Sequence, residues 1–189
     1  GRRHTARDIR EAFCTAREVG FACINMDLIA GLPQDSVEGF RDSLEEVLAL
    51  RPENITVHTL AMKKGSRLME EGGALPSGEE TGRMVNLSLE ALEGAGYRPY
   101  YLYRQKYMSG GLENVSWCLP GTENHYNIIM MEELQSVLSL GAGGVTKLVD
   151  RSSGRIVRLT NPKYPHDYLA MSAKVLEQKD EILRFYREV

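Results

Sequence analysis

Two consecutive strand-and-helix units near the start of the chain constrain its fold more than any other feature. Apolar residues at helical spacing predict a helix over Ala6–Val19, and Thr5 begins it with an approximate capping box. Residues 21–29 predict a short strand covered on both faces, and after a second helix residues 54–60 predict another strand. This order is typical of parallel βαβ units. Two units cannot close an eight-stranded barrel, so the missing strands must come from elsewhere.

The remainder of the chain mixes helices and strands. A third helix begins near Ser77, and residues 97–103 form an aromatic, strand-like run. Residues 104–125 predict a long loop. Further on, the patterns predict a hairpin from residues 145–149 and 156–159, and then one long final helix over residues 168–188.

Composition limits the classes of protein to which the chain can belong. Its 189 residues, 42% of them hydrophobic, are enough for one real core. A net charge of -3 gives no basic excess of the kind that nucleic-acid binding requires. No apolar run approaches the roughly 20 residues of a membrane span and no signal peptide is visible, which favours a cytoplasmic protein. Cys14, Cys23 and Cys118 are odd in number and widely spaced, which predicts reduced, mostly buried thiols.

Asp27 is the first candidate for chemistry. A carboxylate near the C-terminal end of a buried parallel strand lies where βα barrels build their sites, and it could accept hydrogen bonds from ribose hydroxyls or an amine. A structural Asp that caps the next turn is the alternative. His58, in the second strand, is a candidate ligand or acid/base group, although a core imidazole bonded to backbone is the preferred interpretation.

Two glycine-containing turns and a basic cluster are weaker candidates. Gly31, in the turn after the first strand, could permit the close approach of a ligand. Residues 141–144 could form either a cofactor loop or a plain turn. Arg2, Arg3 and His4 could meet a ligand carboxylate or could simply be solvated.

Several longer motifs resemble a known family. They are residues 1–5 (GRRHT), 20–21 (GF), 25–33 (NMDLIAGLP), 56–60 (TVHTL), 100–106 (YYLYRQK), 112–115 (LENV) and 140–144 (LGAGG). In this order they resemble the radical S-adenosylmethionine (SAM) family of oxygen-independent coproporphyrinogen III oxidases and their haem-chaperone relatives. The last three motifs are similar to a bacterial subgroup of second oxidases.

The resemblance implies an α/β fold in which residues 1–75 are the last βα units of a partial TIM-type radical SAM barrel and residues 76–189 a small α+β C-terminal domain. It implies SAM contacts from Arg2, Asp27 and, as a small residue beyond the second strand, Ala61. The family's cluster-binding cysteines, spaced as CxxxCxxC, are absent, so the resemblance places the [4Fe-4S] cluster in a longer parent protein and leaves this chain with no metal ligands.

The resulting hypothesis is a C-terminal fragment of a radical SAM oxidoreductase that converts coproporphyrinogen III to protoporphyrinogen IX, and the fragment alone is expected to be inactive. Its expected partners are a tetrapyrrole substrate, the missing N-terminal half of its own barrel and, as a guess for covering the exposed strand edge, a second copy in a homodimer. A haem chaperone without oxidase activity is the alternative. A metal-dependent hydrolase using Asp27 and His58 is a third possibility.

Overall fold

A computed structural model describes residues 4–61, 75–103 and 112–188, and the chain divides into two compact units, residues 1–123 and 124–189. The first unit has a four-stranded sheet in the order β1-β2-β4-β3. β1 and β2 are parallel, and β4 pairs antiparallel with both β2 and β3. Its described elements are α1 Ala6–Val19, β1 Asn25–Ala30, α2 Val37–Leu50, β2 Asn54–Thr59, α3 Gly78–Gly94, β3 Arg98–Tyr103 and β4 Asn114–Cys118.

Side-chain hydrogen bonds define where the helices of the first unit begin. Thr5 caps α1 with a complete capping box, as predicted, and Gly20 ends this helix with φ 94°, a left-handed conformation that glycine adopts without strain. Ser36 caps α2, and Ser77 caps α3 with a second capping box. The predicted bounds of α1 are confirmed.

The core of the first unit lies between one face of the sheet and the helices α2 and α3. Successive residues of a strand point to opposite faces, so only alternate residues of β2 and β4 enter this core. The buried residues include Phe40, Leu44, Val47, Ile55, Val57, Met84, Leu92 and Trp117. The described helices α2 and α3 therefore occupy one face of the sheet.

The second unit consists of a hairpin with helices around it. Its elements are α4 His125–Met131, β5 Val145–Val149, β6 Ile156–Thr160, α5 Pro165–Ala170 and α6 Ser172–Glu188. β5 and β6 pair antiparallel, which confirms the predicted hairpin. A small core of Leu148, Leu159 and Phe185 joins the hairpin to α6.

Four structural expectations from the sequence are wrong in part. β4 lies inside the predicted loop of residues 104–125. The predicted final helix is broken at Met171 between α5 and α6. The first strand is exposed on alternate residues instead of being covered on both faces, because among the described residues α2 and α3 cover only one face of the sheet. Cys14 and Cys23 are exposed, and only Cys118 is buried.

The compact units divide after residue 123, whereas the predicted domain boundary follows residue 75. The sheet continues past this predicted boundary, since β3 and β4 extend the surface begun by β1 and β2. The domain boundary at residue 75, which the resemblance implies, is not tested by this division into compact units and stays a prediction. None of the described helices combines the length and the apolar character needed to cross a membrane.

Candidate functional site

Polar side chains cover the face of the sheet opposite α2 and α3. Met26 and Leu28 pack towards the helices, so the alternating residues Asn25 and Asp27 point to the other face. The same alternation in the neighbouring strands adds Asn54, Thr56 and His58 from β2, Asn114 and Ser116 from β4, and Tyr101 and Tyr103 from β3. All four strands of the sheet thus contribute to one polar surface.

Asp27 is the exposed carboxylate of this surface. It lies in the middle of β1, opposite Thr56 in β2, and its side chain is 58% exposed. The Asn25 amide Nδ2 donates a 2.7 Å hydrogen bond to Asp27 Oδ1. The nearby His58 imidazole and the Asn25 amide lower the pKa of Asp27, although partial burial acts in the opposite direction. Asp27 is therefore a charged acceptor that is open to solvent, and it lies at mid-strand and not near the strand end. Its predicted contact with SAM stays a prediction.

His58 lies next to Asp27, and the interpretation of it as a core imidazole bonded to backbone is wrong. Its Nε2 atom is 3.6 Å from Asp27 Oδ2, and its side chain is 26% exposed. On the other side of the ring, Nδ1 is 3.3 Å from the Tyr103 hydroxyl. The rings of His58 and Tyr103 meet edge to face, with centroids 6.4 Å apart. The signal for this placement was the period-two spacing of Asn54, Thr56 and His58.

A row of hydrogen bonds runs across three strands beneath Asp27. The Thr56 hydroxyl donates to Asn25 Oδ1 over 3.1 Å, and Thr56 Oγ1 lies 3.0 Å from Ser116 Oγ. Because Asn25 is held in this way from β2, its amide can donate to Asp27 in only one orientation. The carboxylate is consequently oriented by its neighbours before any ligand binds.

Ala61, another of the predicted SAM contacts, is not brought next to Asp27. Ala61 comes five residues after Thr56, the partner of Asp27, so it lies roughly 16 Å further along the sheet at 3.3 Å per residue. Ala61 is half-buried. Arg2 lies outside the described residues, and its predicted role stays a prediction.

The glycine turns are explained by contacts within the protein. Gly31 has φ 84°, and a Cβ there would lie 3.0 Å from the Thr81 hydroxyl of α3. Glycine at position 31 therefore lets the backbone of this turn approach α3 closely, and no ligand is needed to explain it. The amides of Gly141, Gly143 and Gly144 are directed to the Tyr168 hydroxyl, the Pro162 carbonyl and the Gly141 carbonyl, respectively. These contacts favour the plain-turn interpretation of residues 141–144.

The residues present do not fit an iron–sulfur cluster. Cys14 is on α1, Cys23 precedes β1 and Cys118 ends β4, so they lack the spacing of a cluster-binding motif. Burial raises the pKa of the Cys118 thiol to about 11. In the described parts of the chain, no three His, Cys, Asp or Glu side chains are grouped to hold a metal ion. Asp27 and His58 alone do not make the site that the hydrolase hypothesis requires.

The donor set does fit part of a polar organic ligand. A fixed, exposed carboxylate accepts hydrogen bonds from hydroxyl or amino groups, and SAM carries both. The sheet and its polar face are therefore those of an α/β protein with a candidate site for such a ligand. The motifs described above link it, by resemblance, to radical SAM proteins.

Comparison with known proteins supports this link. The chain is 39% identical over its whole length to the oxygen-independent coproporphyrinogen-III oxidase-like protein HemZ of Bacillus subtilis, 38% of which is covered. It is 23% identical to the heme chaperone HemW of Escherichia coli, over 96% of this chain and 44% of that protein. The solved structure of coproporphyrinogen III oxidase (HemN) from Escherichia coli, a radical SAM enzyme, matches 86% of this chain and 37% of its own with a TM-score of 0.62 and 20% identity. No family model matches.

These findings confirm the predicted resemblance to radical SAM proteins of the oxygen-independent coproporphyrinogen III oxidase type. They also confirm the predicted α/β fold class, because the match to HemN covers most of the chain. The chain spans less than half the length of each of these relatives.

Proposed function

We propose that this chain is the back part of a longer cytoplasmic radical SAM oxidoreductase that decarboxylates propionate side chains of coproporphyrinogen III to give protoporphyrinogen IX. The observation that carries the proposal is Asp27, an oriented carboxylate on the face of the sheet opposite α2 and α3. When bound, SAM supplies the radical chemistry of such an enzyme. The cluster ligands belong to the rest of the longer protein, and the chain alone is inactive.

In this proposal the residues of the chain bind SAM and orient it. Asp27 accepts hydrogen bonds from the ribose hydroxyls or the amino group, and Asn25 keeps the carboxylate in position. Arg2 pairs with the SAM carboxylate, and Ala61 leaves room where SAM packs. The separation of Asp27 and Ala61 along the sheet calls for an extended ligand that touches different strands at its two ends.

The test is SAM affinity of the full-length protein, reconstituted with iron and sulfide under anaerobic conditions. We expect Asp27→Asn to weaken SAM binding about tenfold or more, because a hydrogen bond to a charged group contributes about 1.5–3 kcal/mol. Glu90→Gln is the matched control, since it also removes one carboxylate charge, from the exposed surface of α3 on the other side of the sheet. Equal SAM affinities for wild type, Asp27→Asn and Glu90→Gln would rule out the assignment.

The substrate is tested separately from SAM. The full-length protein should form 5′-deoxyadenosine from SAM and convert coproporphyrinogen III under reducing conditions. The haem-chaperone relatives motivate the alternative. Stoichiometric haem binding by the full-length protein, without turnover of coproporphyrinogen III, would favour that alternative.

The outer edge of β1, which no described strand pairs with, is a candidate site for contact with another part of the longer protein or with a second copy. Within the described residues β1 is paired only with β2, and a groove of about 280 Å³ lies along it between α1 and α2. An open strand edge is a site for further pairing. We therefore propose that another part of the longer protein covers β1. A homodimer is the alternative, and light scattering of the full-length protein distinguishes a monomer from a dimer.

A further inference from the structure

The strongest unexplained feature of the polar surface is the contact of one imidazole with two other functional side chains. His58 Nε2 lies 3.6 Å from Asp27 Oδ2, and His58 Nδ1 lies 3.3 Å from the Tyr103 hydroxyl. The three residues come from β1, β2 and β3, which the sheet brings together on one face. Neither His58 nor Tyr103 has a part in the SAM contacts proposed above.

One tautomer of neutral His58 satisfies both neighbours. If the Tyr103 hydroxyl donates to Nδ1, the ring proton is on Nε2 and points to Asp27 Oδ2. Asp27 Oδ1 already accepts from Asn25, so the two oxygens of the carboxylate have different neighbours. The distance of 3.6 Å is longer than a hydrogen bond, and contacts within a site are often this long before a ligand binds.

We propose that His58 is a positioning residue that orients the Asp27 carboxylate towards SAM, and that Tyr103 holds the His58 ring in the tautomer required for this. The inference rests on the proposed function of Asp27. His58 itself does not touch SAM in this arrangement. With Asn25 on one oxygen and His58 on the other, the remaining lone pairs of the carboxylate face the open side of the sheet, where two adjacent hydroxyls can donate to it together.

Replacing His58 by Gln or by Asn distinguishes the contact that Nε2 makes with Asp27 from the contact that Nδ1 makes with Tyr103. The amide nitrogen of His58→Gln reaches as far as Nε2 and can still donate to Asp27. The shorter His58→Asn places its amide near the position of Nδ1 and cannot reach Asp27. We expect His58→Asn and His58→Ala to weaken SAM affinity about fivefold in the reconstituted full-length protein and His58→Gln to stay within about twofold of wild type. His58→Gln as weak as His58→Ala would overturn the proposal.

A double-mutant cycle tests whether His58 acts through Asp27. Residues that act through one another are not additive, so His58→Ala should change SAM affinity by less than about twofold in an Asp27→Asn background. A fivefold loss in both backgrounds would overturn the positioning role while leaving the Asp27 contact intact. No effect of Asp27→Asn alone would instead overturn the proposed function on which the inference rests. Thermal midpoints of all variants establish that the losses do not come from unfolding.

The contribution of Tyr103 has its own matched control. Tyr103→Phe removes only the hydroxyl that meets His58 Nδ1 and should weaken SAM affinity about twofold. Tyr101→Phe removes a hydroxyl from the same face of the same strand, where the ring centroid of Tyr101 is 5.5 Å from that of Tyr103. Equal affinities for Tyr103→Phe and Tyr101→Phe would contradict the role of Tyr103.

Discussion

Asp27 is held by side chains that come from its own strand and from the next one. Asn25 is two residues earlier in β1, and Thr56, which holds Asn25, is in β2. His58 approaches from the same β2 strand. An exposed carboxylate on a bare strand would sample several rotamers, and fixing it before binding reduces the entropy that a ligand must remove. At the scale of single residues, the site is therefore a supported carboxylate.

The support has a measurable consequence for the titration of Asp27. His58 and Asn25 lower the pKa of Asp27, so we expect His58→Ala to move this pKa back up towards its ordinary value near 3.9. Because the pKa of Asp27 is lower in the folded protein than in the unfolded chain, its interactions stabilise the fold fully at pH values above the pKa of the unfolded chain. This stabilisation is lost as the pH falls through the pKa of the folded protein. Carboxyl carbon chemical shifts followed by NMR between about pH 2 and 7 report the change.

Glu90→Gln is the reference for this titration, since Glu90 lies on α3 and its loss should leave Asp27 unaffected. An Asp27 titration curve that is the same with and without the His58 ring would show that the imidazole does not act on the carboxylate.

The sequence could predict Asp27 as a candidate, but not its neighbours. A carboxylate within an apolar strand is conspicuous because its burial would be costly. His58 is in an equally apolar strand, and a histidine there can be a buried core residue as easily as a site residue. Only the register, which pairs Asp27 with Thr56 and Ile29 with His58, brings the ring to Asp27. Register depends on strand pairing and cannot be read from one strand alone.

At the scale of elements, one buried lysine connects α4 to the hairpin of the second unit. Lys147, in β5, is only 7% exposed, and its Nζ atom donates a 2.7 Å hydrogen bond to the Met130 carbonyl near the end of α4. Glu133 Oε1 lies 3.5 Å from the same Nζ and 2.7 Å from Arg158 in β6. A cation at a helix C-terminus is favourable, and here it also satisfies a carbonyl that lacks a helical partner.

We predict that Lys147→Ala lowers the free energy of unfolding of the second unit by about 2 kcal/mol, because it removes a hydrogen bond from a buried charged group. Arg158→Ala removes the other cation beside Glu133, but the Arg158 side chain is 57% exposed, and such pairs contribute about 0–1 kcal/mol. Urea unfolding followed by circular dichroism measures both changes. Losses of equal size for the two variants would contradict the prediction.

The elements that the sequence predicted best have long, regular patterns. α1 matches its predicted bounds because both ends carry capping signals. β4 was missed because its five residues alternate between polar Asn114 and Ser116 and apolar Val115 and Trp117 within a segment rich in loop-forming residues. The alternation was present in the sequence, but a strand this short is confirmed only by its partners β2 and β3.

At the scale of the whole molecule, each of the two compact units has its own hydrophobic core. The core of the first includes Trp117, the only tryptophan of the chain, which is 3% exposed. The core of the second is centred on Leu148. Separate cores allow separate cooperative transitions. Tryptophan fluorescence therefore reports on the unfolding of the first unit alone.

We predict that Leu148→Ala shifts the unfolding transition seen by circular dichroism but leaves the fluorescence transition of Trp117 in place. Leu44→Ala, in the first core, is the matched substitution and should shift the fluorescence transition. Each change removes a fully buried leucine and should cost about 2–5 kcal/mol. A fluorescence transition that moves equally with both variants would show that the two cores unfold as one.

The strand order β1-β2-β4-β3 also bears on the order in which the contacts of the first unit form during folding. Asp27 and His58 are 31 residues apart in sequence, whereas Thr56 and Ser116 are 60 apart, and Tyr103 joins His58 across 45. Closing longer loops costs more chain entropy, so contacts between distant residues tend to form later. The parallel pair β1 and β2 can form before β4 and β3 arrive, and at that stage His58 has no tyrosine beside it. The polar surface then becomes complete only when the last strands dock, which makes competence to bind a ligand one of the last properties that a newly made chain acquires.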